Sequence, residues 1–210
     1  MRIWMSICRF GSTLTTRYAG PGDTVKLKEV PLSQTVKNPI EPSDEGDRKG
    51  IELGRAQGEA LSRTLRHMTD TIAHDGAETC VGEYLVAYAV EEAEGMYLPR
   101  DGKLEWQAPD DENAHIEVAV RDAADGRLIP GLDVQVTLTA PDGTEVGTLA
   151  LPLLWHPYLY HYGRNWKVPG DGKYKMRVRF NPPTFARHDK KNGKRFADPC
   201  DVTFEPTFPK

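Results

Sequence analysis

Four histidines in the second half of the chain are the residues best suited to chemistry: His115, His156, His161 and His188. His115 and Glu117 are two residues apart. On a strand that spacing sets both side chains on one face, ~6.6–6.8 Å apart along the chain. That face is opposite Ile116 and Val118, so it is not the obvious core face. His156 and His161 fall in the aromatic-rich stretch Leu154 to Gly163, where Pro157 and Gly163 predict a loop rather than a central strand. His188 falls in another loop, between Pro182-Pro183 and Asn192-Gly193. Imidazole and carboxylate ligands offered by separate strands and loops suit Cu, Zn or Fe(II), with Zn–N bonds of ~2.0–2.1 Å. Spacing alone does not establish convergence. Taken singly, each histidine also reads as an ordinary surface or satisfied polar residue.

The elements that must position these side chains follow from hydrophobic period. From residue 80 onward the period is two: Tyr84, Val86, Tyr88 and Val90; Ile116, Val118 and Val120; Leu132, Val134, Val136 and Leu138; Tyr174, Met176, Val178 and Phe180; then Val202 and Phe204. Turn chemistry at Asp125-Gly126, Pro141 to Thr144 and Pro169 to Gly172 separates the runs. Short half-buried strands with no helices between them predict a mainly β protein, an antiparallel Ig-like β-sandwich over residues 80–210. Before it, Leu61, Leu65, Met68 and Ile72 share a helical stripe, which predicts a helix over 49–76 ending at Asp75-Gly76, with Gly54 and Gly58 weakening its first half. Residues 1–48, interrupted by prolines, read as an extended or flexible arm. His67 and His74, seven apart, share a helical face and offer either a second metal site or two solvated imidazoles. Cys80 and Cys200 open the first and last strands, which leaves open a disulfide between them or two buried free thiols.

Composition narrows the function. The chain has 210 residues, 39% hydrophobic and 28% charged, with a net charge of −4. No apolar run reaches the ~18–20 residues of a spanning helix. Arg9 interrupts the apolar stretch from Met1 to Phe10, so that stretch does not read as an export signal. The small net charge conceals two opposed blocks: fourteen acidic against three basic side chains over 75–125, and eleven basic against two acidic over 164–195. The blocks either face each other, within or between molecules, or decorate separate solvated surfaces. Trp166, Tyr174, Phe180 and Phe185 within the basic block suggest a single-strand-binding face, but Tyr174 and Phe180 alternate with the basic residues and so point inward; no nucleic-acid partner is expected. Glu91, Glu92 and Glu94 read as a solvated acidic turn. No phosphate loop, nucleophile elbow or His-Glu-x-x-His motif is present, so no enzyme activity is expected.

Three segments, in order, resemble the iron-transport-associated family of bacterial periplasmic Fe2+ transport proteins. Ala114 to Ala119 is similar to the family's His-Leu-Glu-Ala-Asp strand. His161-Tyr162-Gly163-Arg164-Asn165 resembles its Pro-His-Tyr-Gly-Ala-Asn loop, preceded by Leu151-Pro152-Leu153 where the family has Met-Pro-Met. Gly172 to Pro183, with Arg187-His188-Asp189 to Asn192-Gly193, resembles its strand, double proline and His-Thr-Asp loop. The likeness spans roughly residues 82–208. It implies an Ig-like sandwich that often dimerises, and metal ligands at His115, His161 and His188 with Glu117 beside them. The family's methionine ligand falls on Leu153, which cannot coordinate, and His156 is the replacement offered by the same loop. Loss of a thioether favours Cu(II), Zn or Fe(II) over Cu(I); Met96 and Met176 are poorer ligands.

The expected function is therefore reversible capture of a divalent cation (Fe, Cu or Zn) by His115, Glu117, His156, His161 and His188, for delivery to a membrane iron permease system. The resemblance also implies a homodimer and a periplasmic location, whereas the N-terminal reading leaves the cytoplasm open. The competing reading is a metal-free Ig-like protein–protein interaction module whose metal site has decayed.

Overall fold

The structure, a computed structural model, describes residues 16–17 and 39–209. In chain order it holds β1 (Thr16–Arg17), α1 (Arg48–Thr71), β2 (Asp75–Val81), β3 (Tyr84–Glu91), β4 (Met96–Arg100), β5 (Lys103–Gln107) and β6 (Ala114–Asp122). These are followed by β7 (Val134–Thr139), β8 (Glu145–Leu151), β9 (Leu153–His156), β10 (Leu159–Trp166), β11 (Gly172–Lys173), β12 (Lys175–Phe180), β13 (Cys200–Phe204) and β14 (Thr207–Phe208). One sheet runs β1-β2-β3-β6-β10-β9 and the other β13-β12-β7-β8, with β4–β5 and β11–β14 as two-stranded additions. The sheets form the expected antiparallel sandwich. Between them pack Tyr84, Val86, Tyr88 and Val90 of β3, Ile116, Val118 and Val120 of β6, and, from the second sheet, Val136, Leu138, Met176, Val178 and Phe204. Each fully buried side chain of this size contributes ~1.5–3 kcal/mol. The Tyr162 hydroxyl ties the first sheet to the loop that leads into β7, donating to the Ile129 carbonyl (2.8 Å) and accepting from the Leu132 amide (3.0 Å).

The outer face of the first sheet is covered as well. Every residue of β3 and β6 is buried, because Leu61, Leu65 and Met68 of α1 pack on Ala87, Ala89, Ala119 and Leu159. Small residues on the sheet let the helix approach closely. Gly58 brings the helix against the Asp125-Gly126 turn, where a Cβ would collide with the Asp125 carbonyl oxygen. Asp47 caps the helix by accepting from the Gly50 amide (2.7 Å), and Arg121 bonds Ser62 and Glu78 beneath it.

Several expectations are corrected. The helix stops at Thr71 rather than 76, since the His74 amide is captured by the Val90 carbonyl (2.8 Å) and Asp75-Gly76 open β2 against Val90 and Ala89. His74 therefore lies beyond the helix and shares no helical face with His67, whose ring meets Tyr158 edge-on. Ile72, at the end of the apolar stripe, is exposed. The stretch Leu154 to Gly163 is a β-hairpin, β9–β10, at the sheet edge; Pro157 occupies the turn, where its missing donor costs nothing. No Cys80–Cys200 bridge forms. Cys200 is a free thiol facing the core, pushed up to about 12 chiefly by burial, whereas Cys80 shares the outward face of Glu78. Trp166, Tyr174 and Phe180 are core residues. The opposed charge blocks meet within the chain through Lys167–Asp111, Arg195–Asp122 and Arg195–Glu83. The expected arm lies outside the described residues except for 16–17 and 39–48. There Glu41 and Ser43 bind Asn192 and Asp189 (3.0 and 2.7 Å), so this end of the arm straps the 188–192 loop.

Alanine in place of a helical glycine ordinarily gains ~0.8–1 kcal/mol. Gly58→Ala is expected instead to lose about 1–3 kcal/mol, as overpacking does. At Gly54 the nearest atoms to a new Cβ belong to the flexible Arg127 side chain, at 3.4 Å and beyond, so Gly54→Ala should be neutral or stabilising. Urea denaturation of the full chain separates the two; a Gly58→Ala protein as stable as the native one would contradict the docking described.

Candidate metal centre

The outer face of the first sheet changes character along its strands. Past the alanines that seat α1, the register sets Glu91 of β3 opposite His115 of β6, and Ala89 opposite Glu117. On the other side of β6, Gly163 of β10 pairs with Glu117 and Asn165 with His115. His161, two residues before Gly163, joins the same face. Ligand atoms of His115, Glu117 and His161 lie within 4.8 Å of one another, and all three residues are buried. Two ligands each ~2.1 Å from one ion stand no more than ~4.2 Å apart, so the group needs to contract by only a few tenths of an ångström.

The neighbours fix its orientation. Asn165 is clamped by the Glu94 backbone, its Oδ1 accepting from the amide (3.2 Å) and its Nδ2 donating to the carbonyl (2.7 Å). Its Oδ1 also lies 2.7 Å from His115 Nδ1, which must therefore carry the proton. That leaves Nε2 with a lone pair, the form a metal ligand needs. Gly163 keeps the space in front of that nitrogen open: a Cβ there would come 2.7 Å from His115 Nε2 and 3.0 Å from the His161 ring. His161 Nε2 is 3.1 Å from Glu117 Oε1, yet neither His161 ring nitrogen makes a hydrogen bond, and Glu117 Oε2 has no partner.

Burial sets the protonation states. It pushes Glu117 up to about 9, with help from the charges of Glu91 and Glu94. It pushes His161 down to about 3, assisted by His115 and His156, and lowers His115 against the opposing Asn165 bond. At neutral pH the His161–Glu117 contact is therefore between uncharged groups. A dication reverses the preference by replacing the proton. Two imidazoles and a carboxylate with open positions suit Fe(II), Cu(II) or Zn.

His156 stands on the same face, since it pairs with Leu159 and Leu154 pairs with His161. Its ring centroid lies 6.4 Å from that of His161, and its buried Nδ1 is unpartnered. The register also sets Leu154, rather than the exposed Leu153, against the centre. Met176 is wholly in the core. His188 lies outside the buried group: it is 91% exposed and bound to Glu45 (Nδ1–Oε2 2.9 Å). Glu91, expected in a solvated turn, is instead 5% exposed, with Oε1 unpartnered and its carboxyl pushed up to about 7 by burial and then Glu94. The signal for it was available. Glu91 keeps the period of Ala87 and Ala89, which marks a covered face rather than a turn.

A family model described as Fe2+ transport protein matches residues 76–209. Among solved structures, FetP of a uropathogenic E. coli strain is 26% identical with a TM-score of 0.53, covering 62% of this chain and 91% of that one. Copper-reconstituted P19 from Campylobacter jejuni is 20% identical with a TM-score of 0.52, covering 63% and 95%. A copper-bound variant of C. jejuni P19 is 19% identical with a TM-score of 0.54, covering 63% and 96%. No curated protein matches. With well over half its length matched, from β2 to the last strand, this chain belongs to the Fe2+ transport protein family.

Proposed function

We propose that this protein captures a divalent cation at His115, Glu117 and His161, with His156 as a fourth ligand, and passes it to a membrane iron permease in the periplasm. The observation that carries the reading is one buried sheet face on which His115, Glu117 and His161 bring ligand atoms within 4.8 Å of one another, while Glu117 Oε2 and both His161 ring nitrogens make no hydrogen bond. Nearly all buried polar groups are hydrogen-bonded in folded proteins, so such a group calls for an occupant. The copper bound by C. jejuni P19 supports a metal in a fold of this kind. Iron as the cargo and the periplasm as the location follow from the family likeness. Capture and release need no covalent step. The entering ion displaces the Glu117 proton, and return of that proton loosens the ion.

A homodimer is the second part of the proposal. Among the described residues no strand pairs with the outer edge of β9, and Leu153, Trp155 and Tyr160 are exposed on that hairpin. Self-association there would cover both the edge and the aromatics. His188, outside its own chain's buried group, would then serve only as a ligand supplied from a second copy. Sedimentation equilibrium checks the dimer. We expect the native protein to dimerise and Trp155→Glu to be monomeric; a native monomer contradicts it.

Calorimetry with Cu(II), Zn and anaerobic Fe(II) checks the capture. We expect one tight site, weakened by at least about a hundredfold (~2.7 kcal/mol) in His161→Ala. Because Glu117 keeps its proton up to about 9, binding at pH 7 should release a proton to the buffer, and affinity should rise with pH toward 9. Binding unchanged in His161→Ala, or no proton release, contradicts the proposal.

A further inference from the structure

The buried group is closed to solvent. His115 is 1% exposed and Glu117 and His161 are 4% exposed each, so nothing from solution reaches them unless a covering group moves. A line of rings leads out. It runs from His161 to His156, with centroids 6.4 Å apart, then to Tyr158 at 4.2 Å, and then to His67 of α1 at 6.3 Å. The two outer members of the line, Tyr158 and His67, are exposed. Tyr158 thus stands where the covered face meets solvent, in the seam between α1 and the β9–β10 turn. Burial, then the charges of Glu91, Glu117 and Glu94, pushes its hydroxyl above the ordinary phenol range. The phenol therefore lies within the field of the buried carboxyls.

Its attachments are weak. Tyr158 follows Pro157 in the turn between β9 and β10, and its ring meets His156 and His67 edge-on. Among the described residues no hydrogen bond holds its hydroxyl. Such a ring changes rotamer without breaking any strand pair, and exposed rotamers flip within nanoseconds. The other sides are firmer. Leu154 is registered against His161 inside a strand pair, and Asn165 is clamped by the Glu94 backbone.

We infer that Tyr158 is a gate to the metal centre: its ring, braced on His67 of α1, closes the path to His156 and His161, and a cation enters or leaves when the ring swings out. A gate changes rates and leaves the equilibrium alone, because it interacts alike with the empty and the occupied centre. His67 sets how firmly it shuts. That the gate admits a metal rests on the centre proposed above; that it shields two imidazoles does not.

Two measurements on the full-length protein test this. Diethyl pyrocarbonate, which acylates neutral imidazole, is the metal-free probe, and peptide mass mapping at pH 7 reads each histidine separately. Burial keeps His161 neutral at that pH, so closure alone protects it. Its acylation is expected to be at least about tenfold faster in Tyr158→Ala, and faster also in His67→Ala, because both unlock a local opening. Tyr158→Phe, which keeps the ring, should match the native protein. His188, 91% exposed, should react alike in all of them. Stopped-flow mixing with Cu(II), which quenches tryptophan fluorescence, follows entry, and a chelator follows exit. Both rates should rise at least about tenfold in Tyr158→Ala, within the range association rates span among variants, with Kd held to within about threefold. His161 acylation unchanged in both Tyr158→Ala and His67→Ala overturns the gate. Faster copper exit with unchanged entry also overturns it, making Tyr158 a support of the bound state. If the native protein binds no copper while His161 acylation still depends on Tyr158, the metal reading fails and the gate stands.

Discussion

Burial of both faces of one sheet is the constraint on which the rest of the structure depends. The inner face needs no further explanation, since it is apolar. The outer face is covered by α1 over its alanines, and past the helix it buries His115, Glu117, His161 and Glu91. At neutral pH burial holds Glu117 and the two histidines uncharged. Glu117, held up to about 9, stays protonated while the unfolded chain ionises above its ordinary 4.5, so stability falls as pH rises from there toward 9. His161, held down to about 3, stays neutral while the unfolded imidazole protonates below 6.5, so stability also falls below that pH. No pH relieves both costs. A dication does, because it takes the place of the proton on Glu117 and uses the histidine lone pairs that burial has preserved.

The fold was largely legible in the residues. The alternation of Val86, Tyr88 and Val90, and of Val136 and Leu138, placed the strands and their inner faces, because a half-apolar strand has one way to face a core. The outer face was not. Glu117 and Glu91 look solvent-facing in a strand pattern, yet both are buried. The signal was Ala87, Ala89 and Ala119, small apolar residues where an exposed face would carry polar ones. The hairpin was missed because Pro157 and Gly163 are strand breakers in general. Here Pro157 falls in a turn, and Gly163 is required by the His115 ring.

At the site, the likeness pointed to His115, His161 and Glu117, and register explains why these converge: β6 and β10, separated in sequence by β7, β8 and β9, are adjacent strands of one sheet, and Gly163, two residues after His161, pairs with Glu117. Asn165, which sets the His115 tautomer, belongs to the same segment as His161 but acts through the Glu94 backbone, a contact no local pattern reveals. His188 stands apart because the strap formed by Glu41, Ser43 and Glu45 holds its loop at the surface. α1 precedes the family-matched residues, yet it covers the face that bears the centre. The helix thus lies outside the matched residues while covering the alanines next to the centre.

The central claim is that two imidazoles and one carboxylate of this sheet face bind one ion. Pulsed EPR of the full-length protein carrying one equivalent of Cu(II) tests it most directly, by counting the nitrogens on the metal. The account predicts coupling to at least two imidazole nitrogens, falling by one in His115→Ala. A spectrum with no imidazole nitrogen bound, or one unaltered by His115→Ala, would contradict it.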